Sequence, residues 1–186
     1  MVLLSLEQIR ERLDVEFEPL EPILTGFRML QVSISSLEIS AYETKFNVIF
    51  PLSFKNIISK YNFGDFTIGP IVFGCSVNYL DELIELDRLF NQNLDNKRDI
   101  KEFIVVAVSD PYLYLLDLRS SNIFALDRDL SLENRFFIAL NFEKFIQGIG
   151  TLMLLRDTSN SENELAIQIC KELGSECVDF WKTLSL

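Results

Sequence analysis

Phe103-Ile104-Val105-Val106-Ala107-Val108-Ser109-Asp110-Pro111-Tyr112-Leu113-Tyr114-Leu115-Leu116-Asp117-Leu118-Arg119-Ser120-Ser121-Asn122-Ile123-Phe124-Ala125-Leu126 is the stretch that decides the fold. The run from Phe103 to Ser109 has the near-continuous apolar pattern of a central strand covered on both faces. Asp110-Pro111 turns the chain into a second run, Tyr112 to Leu118, and Arg119-Ser120-Ser121-Asn122 turns it into a third, Ile123 to Leu126. Links this short join antiparallel strands, because a parallel crossover needs a dozen or more residues. Arg135 to Leu140 is a further strand candidate.

Downstream, Asn141 caps a helix with Phe142, Phe145, Ile146 and Ile149 on its buried face. A polar linker, Asp157 to Asn163, leads to a C-terminal helix opened by Ser161-x-x-Glu164. Ala166, Ile169, Cys170, Leu173, Cys177, Phe180, Trp181 and Leu184 keep steps of three and four through Gly174, which predicts one long helix with a kink there.

Upstream, Ser5-x-x-Gln8 is a capping-box pattern that opens a first helix through Ile9 and Leu13 towards Phe17, and Pro19 and Pro22 break it. Leu20 to Ser33 reads as loop, with room for a short strand. Ser35-x-x-Glu38 opens a second helix with Ile39, Tyr42 and Phe46 on one face. Pro51 fits the first turn of a third, over 52–61, whose Phe54, Ile57, Ile58 and Tyr61 form an apolar stripe. Asn62 or Gly64 then suits a left-handed cap. Phe66 to Phe73, interrupted by Gly69-Pro70, predicts an edge strand or two short ones around a turn. Leu80, Leu83, Ile84 and Phe90 mark a short helix, and Asn91 to Lys101 is polar loop. Helices, an antiparallel meander and helices again make an α+β fold.

The 186 residues suit one domain over 1–186, with 48% hydrophobic and 24% charged residues in a globular balance. Sixteen Phe against one Trp read as core filling. No stretch suits export or a membrane span, and Ile104 to Val108 is only strand-sized, so the expected compartment is the cytoplasm. On one helix, Cys170 and Cys177 would stand roughly 10 Å apart, beyond disulfide reach, so the three cysteines are expected reduced. The net charge of -11 repels nucleic-acid phosphates and anionic headgroups and suits a basic protein partner.

Histidine is absent, which removes Ser-His-Asp and Cys-His nucleophile systems and His-ligated zinc. Neither common phosphate-cradling glycine motif occurs. Asp127-x-Asp129 with Glu133 fails as a calcium loop, since Leu132 takes the obligatory Gly position and Ile138 the bidentate Glu position. The expectation is a non-enzyme with no catalytic residues, no metal and no cofactor.

Ser35 to Phe46, with Glu43, followed by Pro51 to Gly64, with Tyr61, Asn62 and Gly64, resembles the opening of the SUKH superfamily, although Phe63 replaces the first glycine of that family's corner. Phe103 to Leu118 resembles its paired central strands. Ile138-Ala139-Leu140-Asn141-Phe142-Glu143-Lys144-Phe145-Ile146 resembles its closing strand and helix. The resemblance covers roughly residues 35–150 and leaves 151–186 as a C-terminal linker and helix. These proteins are relatives of yeast cell-wall-synthesis regulators, and many bacterial members are immunity proteins. The resemblance therefore implies a binding role, most often against a nuclease-type toxin; the alternative is a housekeeping regulatory or scaffold module with no toxin partner.

For a basic toxin domain, the partner-binding candidates are Asp65, Asp81, Glu82, Glu85 and Asp110 for electrostatic steering and Tyr112 as an aromatic anchor. Each has a structural alternative. Asp81, Glu82, Glu85 and Asp87 suit the wet face of an amphipathic helix, Tyr112 shares one strand face with Tyr114 and suits core packing, and Asn62 and Gly64 suit a turn.

Overall fold

The computed structural model describes residues 3–31, 34–92, 102–156 and 162–185. Six strands form one antiparallel sheet in sequence order: β1 (Asp65–Ile68), β2 (Ile71–Cys75), β3 (Phe103–Val108), β4 (Tyr112–Asp117), β5 (Ile123–Asp127) and β6 (Phe136–Ala139). The helices are α1 (Leu6–Phe17), α2 (Ser36–Phe46), α3 (Leu52–Ile58), α4 (Tyr79–Gln92), α5 (Phe142–Leu155), α6 (Glu162–Glu172) and α7 (Val178–Ser185). The fold is α+β, with the meander centred on the stretch that the sequence singles out.

The central strands are apolar on both sides because both sheet faces are covered. Ile104, Val106, Tyr114, Leu116, Ile123 and Ala125 belong to the main core with the helices. Phe103, Val105, Leu113, Leu115 and Leu126 belong to a second cluster on the other face, closed by Leu86 and Phe90 of α4 and by Leu132. Alternation along β3 slips at Val106, where the pairing moves from Val105↔Leu115 to Ala107↔Tyr114. The Val106 carbonyl at this bulge accepts the Tyr79 hydroxyl at 2.6 Å, which ties the start of α4 to the sheet.

Phenylalanines make the centre of the main core. Phe63 is fully buried and packs against Phe66, Phe73, Tyr79 and Phe142, with ring centroids 5.2–5.8 Å apart. A side chain that departs from the family's corner glycine is thus the hub of the aromatic cluster.

The two flanks reach the same core. Helix α5 offers them small residues: a Cβ on Gly150 would meet the Ile9 Cδ1 at 2.5 Å, and one on Gly148 the Leu173 Cδ1 at 2.7 Å and the Trp181 ring at 2.9 Å. Glycine at both positions lets α1 and the tail helices approach the α5 backbone closely.

The C-terminal helix is not continuous. Gly174 takes φ 66, the left-handed conformation that ends α6, and the chain turns back into α7. Cys170 and Cys177 therefore lie on either side of a turn, and Ser175 joins them: the Cys170 thiol donates to the Ser175 carbonyl at 2.9 Å, while the Ser175 hydroxyl accepts from the Cys177 N–H at 3.1 Å. The buried Cys170 thiol and the half-buried Cys177 thiol are both pushed above the usual cysteine value, chiefly by desolvation. Steps of three and four persist because both helices pack on one core.

Smaller differences have equally local causes. Helix α3 ends at Ile58, with Pro51 as its N-cap residue rather than within the first turn. Neither Asn62 nor Gly64 is left-handed; that conformation falls to Asn47, which ends α2. The segment after α1 makes a 3-10 turn, Glu18–Leu20, and holds no strand among its described residues. Residues 66–73 form the β1–β2 hairpin around Gly69-Pro70. Helix α4 has 14 residues and includes Asn91 and Gln92, so the first two residues of the expected 91–101 loop are helical; 93–101 lie outside the described residues. Ser161 also lies outside them.

Candidate protein-docking surface

The Tyr61–Asp65 corner organises one end of the sheet. Val72 stands opposite Val108 and Asp65 opposite Cys75, so the Gly69-Pro70 and Asp110-Pro111 turns share one end and Asp65 and Cys75 occupy the other. At the Asp65 end, Asn62 acts as a three-way tie. Its Oδ1 accepts from the Gly64 N–H at 2.9 Å, its Nδ2 donates to the Val77 carbonyl at 3.1 Å, and its backbone N–H donates to the Leu30 carbonyl at 2.8 Å. Gly64 is required by close approach: a Cβ there would stand 2.6 Å from the Ser76 carbonyl oxygen and 2.8 Å from the Tyr79 nitrogen.

Glu43 and Tyr61 have structural tasks nearby. Glu43 Oε1 accepts from the Phe50 N–H at 2.7 Å and from Lys55 Nζ at 3.1 Å, bracing the α2–α3 link. The Tyr61 hydroxyl donates to Glu7 at 3.0 Å; burial, with that carboxylate second, pushes the phenol up to about 12.

The corner gathers three of the six binding candidates and leaves three outside. Asp65 is exposed on β1 and faces Gly26. Asp81 is exposed in the first turn of α4, and Glu82 is half-buried against Gly74 of β2, where a Cβ would meet its Cγ at 2.5 Å. Glu85, one turn on, is exposed and pairs with Arg88 at 2.9 Å, so part of its negative charge is offset locally. Asp110 is exposed at the opposite end of the sheet.

Tyr112 is half-buried and stacks edge-on against Phe136 and Phe180 at 5.9 and 5.6 Å, on the helix-covered face with Tyr114. Of its two readings, the geometry is that of core packing. Asp87 is no part of a wet face: it is 9% exposed, and its charge adds to the desolvation that pushes the Tyr42 hydroxyl up.

Several residues at this corner escape the sequence reading. After α1, residues 18–31 cross the corner as an irregular strap. Arg28 fixes it, donating to Asp14 at 2.8 Å, Glu21 at 2.9 Å and Glu18 at 3.2 Å. The Asp14 bond, ahead of the other carboxylates, raises the guanidinium further above its usual value. The Gly26 carbonyl accepts from Thr67 at 2.7 Å, and Met29 is fully buried. Yet Ile23 is 89% exposed and Val77 88%, with Leu20, Leu24 and Leu30 also open to solvent. For those on 18–31 the sequence signal is apolar residues lying out of period around Pro19, Pro22 and Gly26.

Among the described residues, no group of three or more Cys, Asp or Glu is placed to hold a metal ion, and no helix is long and apolar enough to cross a membrane. The chemistry on offer is that of a surface: carboxylates, exposed apolar side chains and braced backbone.

Comparison with known proteins places this architecture. No curated protein matches the chain. A family model described as the SMI1 / KNR4 family (SUKH-1) matches residues 33–148, nearly the span of the sequence resemblance and well over half of the chain. With its helix pair, tied corner, antiparallel meander and closing helix, the chain belongs to the SMI1 / KNR4 (SUKH-1) family.

Proposed function

We propose that this protein is a non-catalytic binding module of the cytoplasm, an immunity protein that neutralises a cognate nuclease-type toxin by docking its basic domain. The observation that carries the reading is the placement of Asp65 on the corner and of Asp81 and Glu82 in the first turn of the helix whose start abuts it, in a family member whose net charge is -11. Nuclease domains that bind phosphate backbones are basic, so an acidic partner is attracted before contact and can occlude the nucleic-acid surface. The absence of histidine from the sequence agrees with a protein that acts by occupancy rather than turnover.

Steering needs no fixed geometry, which suits carboxylates on an exposed helix start. Tight binding also needs desolvated contacts. The decisive experiment is co-expression with nuclease-type toxin domains encoded by the genes that neighbour this chain's own. The expected result is rescue of growth by the intact chain. Failure to rescue, with the chain folded and abundant, would overturn the immunity reading in favour of a regulatory module without a toxin partner.

A further inference from the structure

The exposed apolar strap is the least expected part of the surface. Long apolar side chains left in water on a small acidic protein mark a contact site when they are grouped and held rigidly. Ile23, Leu24 and Leu30 lie on one segment, and Leu30 and Val77 flank Asn62, which bonds to the backbone of both. Beside Leu30, a shallow cleft of about 190 Å³ is lined by Glu21, Pro22, Thr25, Gly26, Arg28 and Asp65.

Rigidity is built in. Arg28 holds three carboxylates, Met29 is sunk in the core, and the Gly26 and Leu30 carbonyls are bonded to β1 and the corner. The rim is acidic: Asp14, Glu18, Glu21 and Asp65 stand against Arg10 and Arg28, and Glu18 remains 65% exposed. Residues 18–31 also lie before the span that matches the family.

We propose that the strap and corner together form the primary docking surface of this protein, and that its occupant is a basic segment of a partner protein carrying an exposed aliphatic or aromatic side chain. The apolar side chain packs on Ile23, Leu30 and Val77, while Lys or Arg residues beside it meet Asp65 and the excess negative charge of Glu18 and Glu21, since Arg10 and Arg28 offset only two of the four rim carboxylates. A second copy of this chain is a poor occupant, because two surfaces of the same negative sign would face one another. The proposal deepens the binding reading above, and it places the anchors on the strap rather than at Tyr112.

The test uses the full-length chain and a random 12-residue peptide library. Selected peptides are expected to combine Lys or Arg with one large apolar residue, and to shift backbone amides of 20–30, 62–65 and 76–82 in NMR titrations. The single variants Ile23→Ser, Leu30→Ser and Val77→Ser should each weaken the selected peptides at least tenfold, while Leu130→Ser, on an exposed turn at the other end of the sheet, should change binding less than twofold. Folding is checked by thermal denaturation of each variant. No enrichment, peptides that map elsewhere, equal loss in Leu130→Ser, or concentration-dependent self-association that occupies the strap would each overturn the proposal. Rescue from the toxin reads the immunity role separately: rescue that persists in the Ile23→Ser, Val77→Ser double variant removes the strap and leaves the role intact.

Discussion

The family-matched core, residues 33–148, and the two flanks outside it are built by different rules and end in one hydrophobic cluster. In the core, the fold follows from periodicity: continuous apolar strands, tight turns and capped helices. In the flanks, it follows from contacts with α5, where Gly148 admits Trp181 and Leu173 and Gly150 admits Ile9. The difference teaches that matching a family span does not delimit a folding unit. Here the tail fills the core and the lead both fills it and carries exposed apolar surface.

The largest effects should fall equally on both regions if this is right. Phe63→Ala in the core and Trp181→Ala in the tail each remove a fully buried ring, at a cost of about 3–5 kcal/mol. Urea unfolding followed by both fluorescence and circular dichroism should give one shared transition. A Trp181→Ala cost below about 1 kcal/mol, or a separate early transition of the tail, would break the equivalence.

The same contrast explains what could be read in advance. The three strands from Phe103 to Leu126 were legible because a strand buried on both faces leaves an unbroken apolar run. The C-terminal helix was read as one because α6 and α7 put apolar residues on a shared core, so register carried through a turn that only the left-handed Gly174 reveals. Tyr112 was ambiguous because both faces of the sheet are covered, and alternation assigns a side without saying which is wet. Asp65, Asp81 and Glu82 could be named singly, but their meeting depends on the β1–β2 hairpin and the Asn62 tie. The strap residues carry no period at all, so nothing local marked them.

Charge separates the two ends of the sheet by an intermediate effect. On the proposed immunity role, reversing Asp81 and Glu82 together should slow association with the toxin about tenfold at low salt and flatten its salt dependence. Reversing Glu85 alone should do less, because Arg88 already offsets part of its charge, and Asp110→Lys should leave the rate within twofold. Stopped-flow rates across salt concentrations check this ordering. Equal effects at Asp81 and Asp110 would dissolve the distinction between the ends.

Helix caps compare the regions on a finer scale. Ser5 and Ser35 each make a complete capping box, with Gln8 and Glu38 respectively. Replacement of either serine by Ala should cost about 1 kcal/mol, measured by chemical denaturation. Near-neutral Ser5→Ala beside a costly Ser35→Ala would show that α1 is accessory.

Acid gives the smallest effect. The Glu7 carboxyl is held below the usual value of 4.5, chiefly by a backbone hydrogen bond and then by Tyr61; the Glu38 carboxyl is held below it by Ser35. Groups lowered on folding stabilise above their unfolded pKa and lose that contribution as pH falls through the folded value. Stability should therefore decline below about pH 4.5, and the decline should be shallower in Glu7→Gln and Glu38→Gln. A slope unchanged in both variants would contradict the assignment.

The account's central claim is action by occupancy, and titration of toxin activity with purified protein tests it most directly. Residual nuclease activity should fall in proportion to added protein and reach its floor at about one equivalent, with both partners recovered chemically unaltered. Inactivation by far less than one equivalent, or no inhibition at several equivalents of folded protein, would contradict it.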